Sequence, residues 1–152
     1  MPSLPQSLSP GGPLNSLKRE ASGSGYGPNG AETRYCSVPS RWRICGMVNA
    51  RGDEASTLAE ERFPKETLLD GRGDAFRHCT WAAFITLDLG ADKAKEFTNR
   101  HEEGEDHDAK DVQMDLSNNA TGIEVGKSSS SKDEAANKCE KLANDNKLVR
   151  LK

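Results

Sequence analysis

The residues best equipped for chemistry fall in three short blocks. The first is Gly71-Arg72-Gly73-Asp74-Ala75-Phe76-Arg77-His78-Cys79-Thr80-Trp81, the second His101-Glu102, and the third Asp115 with Asn118 and Asn119. In the first block Asp74, Arg77, His78 and Trp81 recur three and four positions apart, the spacing that puts side chains on one helix face. Imidazoles titrate near neutrality. Carboxylates orient them or act as bases themselves. A guanidinium stabilises developing negative charge, or clamps a phosphate or carboxylate. Asp74, Arg77, His78, His101, Glu102, Asp115, Asn118 and Asn119 are therefore the candidate catalytic set. The chemistry they suggest is hydrolysis, with His78 and His101 moving protons and Asp74, Glu102 and Asp115 in support. A second reading is a divalent metal held by His78, His101, Asp74 and Asp115, although no H-E-x-x-H spacing is present to favour it. A third is purely structural: a buried Asp–Arg–His network can simply fix how helices pack.

Three helices must position these blocks. The run from Asp74 to Leu89 contains no Gly or Pro and ends at Gly90, so a helix is expected over 74–89. Phe76, Ala83, Phe84 and Leu87 make most of its circumference apolar, which marks it as buried. Its polar stripe must then meet partners, since each buried unpaired polar group costs ~1–3 kcal/mol. A second helix over 91–102 follows almost at once, as in an antiparallel pair. A third spans about 108–126, with Asp115, Asn118, Asn119, Gly122 and Gly126 on one stripe. Glycines lower helix propensity, so Gly122 and Gly126 imply close helix approach. Economy of buried polarity predicts that the stripes converge. Asp74, His78, His101, Asp115 and Asn119 are expected within a few hydrogen-bond lengths of one another, with Arg77 at the rim.

The flanks are plainer. Residues 34–47, broken by Pro39 and Gly46, read as a lid or a turn of helix, and Asp53-Glu54 suits the start of a helix over 50–63. Residues 65–73 read as a loop. Glu103 to Asp108, including His107, reads as a solvated acidic loop without an EF-hand pattern. Ser131 reads as the N-cap of a last helix reaching about Asn144. Residues 148–151 suit a short strand or a docked tail. The expected fold is mostly α, a bundle of about five helices over residues 34–152.

Composition sets bounds. Hydrophobic residues are 34% of the 152 and mean hydropathy is −0.79. Five of the seven prolines (Pro2, Pro5, Pro10, Pro13, Pro28) lie in residues 1–33, a stretch expected to be a disordered tail. It has neither the basic start nor the apolar run of a signal peptide. No segment is apolar enough to span a membrane. Lys18 and Arg19 offset Glu20 and Glu32, so the net charge of −3 belongs to residues 34–152. A mildly acidic domain does not favour nucleic acid as a partner, and a monomer is expected. Cys36, Cys45, Cys79 and Cys139 match no zinc spacing and allow three pairings or four free thiols; Cys36 and Cys45 flank a turn and pair first. Arg51-Gly52-Asp53 and Arg72-Gly73-Asp74 read as turns leading into helices rather than as recognition tripeptides. Asn119-Ala120-Thr121 is a glycosylation sequon within a packed helix.

The pattern G-x-G-D-A-F-R-H-C-x-W (71–81), H-E (101–102) and M-D-L-x-N-N-x-x-G (114–122) resembles a helical domain at the C-terminal ends of bacterial polymorphic toxins of the RHS/WapA type. The resemblance covers residues 68–126 and marks Asp74, Arg77, His78, Trp81, His101, Glu102, Asp115, Asn118, Asn119 and Gly122. It implies an effector setting, often hydrolytic, with delivery outside the producing cell. It also implies a larger carrier or an immunity protein as partner. Related domains favour an apolar or small residue at the place of Cys79 and a basic one at that of Ile123. That departure implies a Cys79–Cys139 pair in this chain.

Overall fold

The computed structural model describes residues 29–103 and 108–152, and they form an all-α domain of six helices. These are α1 (Gly30–Cys36), α2 (Trp42–Arg62), α3 (Arg72–Leu89), α4 (Ala91–Glu102), α5 (Ala109–Lys127) and α6 (Lys132–Asn144), with short 3-10 turns at Pro39–Arg41 and Lys65–Thr67. Residues 1–28 and 104–107 lie outside the described residues, and with them most of the tail and the part of the acidic loop that holds His107.

Helix α3 is the axis. Every residue from Gly73 to Thr86 is buried, so the helix separates two apolar clusters. On one side Phe76, Cys79, Ala83 and Phe84 pack with Phe63, Met114, Val125, Ala135, Ala136 and Cys139. On the other, Trp81 and Ile85 pack with Val48, Ala55, Ala94 and Phe97. A helix without a polar solvent face needs neighbours all round, and α2, α4, α5 and α6 supply them. The closest neighbour is α5. A Cβ built on Gly122 would strike the Cys79 carbonyl, and one on Gly126 would stand 2.7 Å from the Ala83 carbonyl and 2.6 Å from Thr86. The two expected close-approach glycines are therefore what seats α5 against α3.

Both disulfides form. Cys36–Cys45 ties α1 to α2, and Cys79–Cys139 ties α3 to α6 across 60 residues. Gly90 ends α3 at a φ of 92°, a conformation glycine adopts without strain. The chain then turns directly into α4. Asp108 and Ser131 cap α5 and α6 by accepting from the backbone N–H groups of Lys110 and Glu134.

Several expectations are corrected. The lid at 34–47 and the helix expected at 50 are largely one element, because α2 begins at Trp42 and runs unbroken through Gly46 and Gly52, both buried. Arg51-Gly52-Asp53 therefore sits inside a helix, whereas Arg72-Gly73-Asp74 is the expected first turn of α3. The expected tail extends too far at its C-terminal end. Asn29 and Glu32 are buried, and a capping box between them starts α1. No strand forms at the C-terminus among the described residues. Leu148 is buried, and the extended segment docks through Leu151 and Lys152, whose N–H groups donate to the Asp70 carbonyl at 2.8 and 3.0 Å. Its partners, Asn118 on α5 and the Asp70 carbonyl in the turn before α3, belong to no strand.

Candidate functional site

The three polar blocks meet where α3, α4 and α5 converge. His78 from α3 is 1% exposed, and its Nε2 lies 3.0 Å from Asp115 Oδ1 of α5 and 3.6 Å from Asp74 Oδ1 one turn back. Asp74 is fixed from three sides. It accepts from Arg77 Nη2 at 3.0 Å and from the Asp70 backbone N–H at 2.7 Å, besides facing His78. Glu102, the last residue of α4, accepts at Oε2 from Asn119 Nδ2 at 3.3 Å. One ligand-type atom each from His78, Glu102 and Asp115 lies within 4.8 Å of the others. Three helices thus deliver one imidazole and two carboxylates to a single point.

His101 closes a second, adjoining contact. Its Nδ1 faces both oxygens of Glu32 at 2.9 and 3.0 Å, and its ring meets the Trp81 indole edge-on at 5.2 Å. Trp81 is oriented in turn by donating from Nε1 to the Val48 carbonyl at 3.1 Å. Glu32 reaches His101 because Asn29 anchors α1 on the end of α4. The Asn29 amide donates to the Arg100 and His101 carbonyls, each at 2.7 Å.

Electrostatics follow from this geometry. Burial pushes the His101 imidazole down, but the charge and hydrogen bond of Glu32, with Glu102 and Asp115 behind it, outweigh burial and raise the pKa to about 9. His78 is also raised. Burial opposes its charge, and Asp115, then Asp74 and Glu102, overcome the opposition. Asp70, at the edge of the cluster, is pushed up by partial burial and by Asp111, Asp74 and Asp115, with Lys152 opposing. The neighbouring carboxylates thus favour the protonated form of both buried imidazoles.

The expected convergence of Asp74, His78, His101, Asp115 and Asn119 is present, with Glu102 completing it and His101 in the adjoining contact with Glu32. Three placements differ. Arg77 is not at the rim: it is 3% exposed, and it donates from Nη2 to Asp74 and to the Leu68 carbonyl. Its i,i+3 position places it on the buried side of α3, the only side α3 has. Asn118 leaves the cluster, donating from Nδ2 to the Val149 carbonyl at 2.8 Å and accepting from the Val149 N–H at 2.9 Å. It staples the C-terminal segment to α5. Of the four expected metal candidates, His78 and Asp115 belong to the convergent group, whereas Asp74 is held by Arg77 and His101 by Glu32; Glu102 completes the group instead.

Glu32 is the participant the sequence did not reveal. Its signal was the Asn29-x-x-Glu32 capping spacing, obscured by the surrounding Pro, Gly and Ser. The sequon at Asn119 is buried at 2% exposure, where no glycan fits. The cluster itself lies beneath the surface. A groove of about 220 Å³ between α4 and α5 shares a residue with it, with Thr98, Leu116, Asn119 and Ile123 in the lining. Asn119 belongs to both the groove and the cluster. No helix among the described residues is long and apolar enough to cross a membrane.

No curated protein and no solved structure matches this chain. Residues 37–147 match the family model described as "Domain of unknown function (DUF6973)", a span that contains all three polar blocks and both ends of Cys79–Cys139. The chain belongs to that family.

Proposed function

We propose that this domain is an effector-type hydrolase whose acid–base centre is the His78–Asp115 pair, with Glu102 as the second carboxylate. The observation that carries the reading is the 3.0 Å contact of His78 with Asp115, joined within 4.8 Å by Glu102 from a third helix. A histidine whose protonated form is favoured by neighbouring carboxylates can donate to a leaving group, and a carboxylate beside it can take a proton from water. Asp74, itself locked by Arg77, orients the imidazole. The groove at Asn119 is the approach for substrate, and Asn119 must shift to admit it. His101 supports the centre from the Glu32 side without touching substrate. The effector setting is supported by the likeness of the three blocks to polymorphic-toxin tips. Two disulfides are consistent with an extracellular protein. An effector of this kind acts as a monomer and has an immunity protein or a carrier as its partner.

A second reading has its own support. His78, Glu102 and Asp115 are only 1–6% exposed, as in a network that fixes helix packing and turns nothing over. On that reading the domain is a secreted binding module.

Induced expression of the full chain separates the two, once in a bacterial cytoplasm and once exported to the periplasm. Hydrolysis predicts growth arrest in one compartment, abolished by Asp115→Asn in a chain that still folds. Arrest after export points to envelope substrates, and arrest in the cytoplasm points to a nucleotide or nucleic acid. Growth unaffected in both compartments, with folded protein present, removes the hydrolase reading.

A further inference from the structure

The buried cluster is rich in carboxylates. Among the described residues Glu32, Asp74, Glu102 and Asp115 are buried around Arg77, His78 and His101. Charge in a low-dielectric interior is costly, and proteins meet the cost by pairing or by metal coordination.

The placement of donors matches the second solution. Atoms from His78, Glu102 and Asp115 lie within 4.8 Å of one another, one from each of α3, α5 and the end of α4. Ligand bonds of ~2.0–2.2 Å put neighbouring ligands roughly 3–4 Å apart, so small side-chain adjustments bring the three to one ion. The Asn119 side chain gives an independent sign. It is 2% exposed, its amide nitrogen sits on Glu102, and its Oδ1 meets no hydrogen-bond donor among the described residues.

We propose that His78, Glu102 and Asp115 bind one divalent cation, with Asn119 as the residue that positions Glu102. One imidazole with two carboxylates is a borderline donor set. It suits zinc or manganese better than calcium, which prefers oxygen alone. The ion takes the place of the proton between His78 Nε2 and Asp115. With His78 then neutral, the ion faces the Glu102 and Asp115 carboxylates, and Glu32 stays on His101. Asp74 stays on Arg77 and the Asp70 N–H, outside the ligand shell. The groove at Asn119 is the ion's way in.

This inference rests on the proposed centre for its location and not for its acid step, since an ion-bound His78 Nε2 has no proton to donate. The test uses the full chain, stripped with chelator and titrated with zinc or manganese chloride by calorimetry, with thermal unfolding in parallel. One ion per chain is expected, with a rise of several degrees in the unfolding midpoint. Glu102→Gln and Asp115→Asn should each weaken binding at least tenfold while the helical circular dichroism persists, and Glu61→Gln on the exposed face of α2 should bind as the parent does. The absence of stoichiometric binding by the folded parent overturns the site, as does Glu102→Gln binding with undiminished affinity. Binding without growth arrest keeps the metal site and removes the hydrolase reading. Growth arrest by a chain that binds neither ion does the reverse.

Discussion

The two buried histidines are a natural contrast. His101 is closed off: one carboxylate, Glu32, covers its Nδ1 with both oxygens, and Trp81 covers its ring. His78 is held open to several partners. Asp115 and Asp74 both face its Nε2, and Glu102 stands near enough to share a ligand position. The first is an ion pair in which one carboxylate meets one ring nitrogen with both oxygens. The second gathers carboxylates from three helices. On the proposed function the first serves stability and the second chemistry, and the two are separable by mutation even though they adjoin.

The largest effect should come from breaking the complete pair. Glu32→Ala leaves a buried imidazole without its counter-charge, and losing one partner of a buried pair costs ~3–5 kcal/mol. Urea unfolding should show this, and a loss below ~1 kcal/mol would mean that α1 is not seated on α4. Next comes a change that attacks only the open site. Gly122→Ala drives a methyl into the Cys79 carbonyl and lifts α5, carrying Asp115 off His78 while Glu32 and His101 stay together. Overpacking of this kind costs ~1–3 kcal/mol, and the His101 imidazole resonances in NMR should move less than those of His78. A smaller loss, ~1–2 kcal/mol, is expected for Asn118→Ala, which removes two hydrogen bonds to Val149 and touches neither histidine. Its signature is faster amide exchange at Val149 and Leu151. The smallest belongs to Asp115→Asn. Losing a charged hydrogen bond is offset by relief of carboxylate repulsion, so stability should change by ~1 kcal/mol or less. A drop as large as that of Glu32→Ala would erase the distinction between the two histidines.

How far the sequence discloses this arrangement depends on what each residue leans on. Helices α3 to α6 are legible because Gly90, Asp108 and Ser131 punctuate them and because their polar stripes repeat at helical spacing. The convergence is legible for the same reason, since a helix buried on all sides cannot strand Asp74 and His78. Local spacing cannot separate Asn118 from Asn119. One residue's rotation sends the first to Val149 and the second to Glu102, and only the tertiary neighbours decide. Arg77 looks like a rim residue because arginine seldom lies fully inside, yet Asp74 and the Leu68 carbonyl compensate its burial. The early start of α2 is hidden by Gly46 and Gly52, whose propensity cost is outweighed once both are packed in the interior. Glu32 is hidden by composition: an average over a linker-like stretch cannot register a single capped turn that docks 69 residues away.

The crosslink between α3 and α6 has a consequence of another kind. The 60 residues it encloses include α4 and α5, and therefore every polar block except the first. In a chain-entropy account, closing a loop of that length removes ~4 kcal/mol of freedom from the unfolded ensemble, and the short loop of Cys36–Cys45 removes ~2–3 kcal/mol more. Together they are comparable to the whole net stability of a typical domain, ~5–15 kcal/mol. A large share of the stability thus depends on oxidation. In a reducing cytosol the same chain would keep only what its packing supplies. After oxidation it would hold three helices around a carboxylate-rich interior that a less constrained chain would open more often.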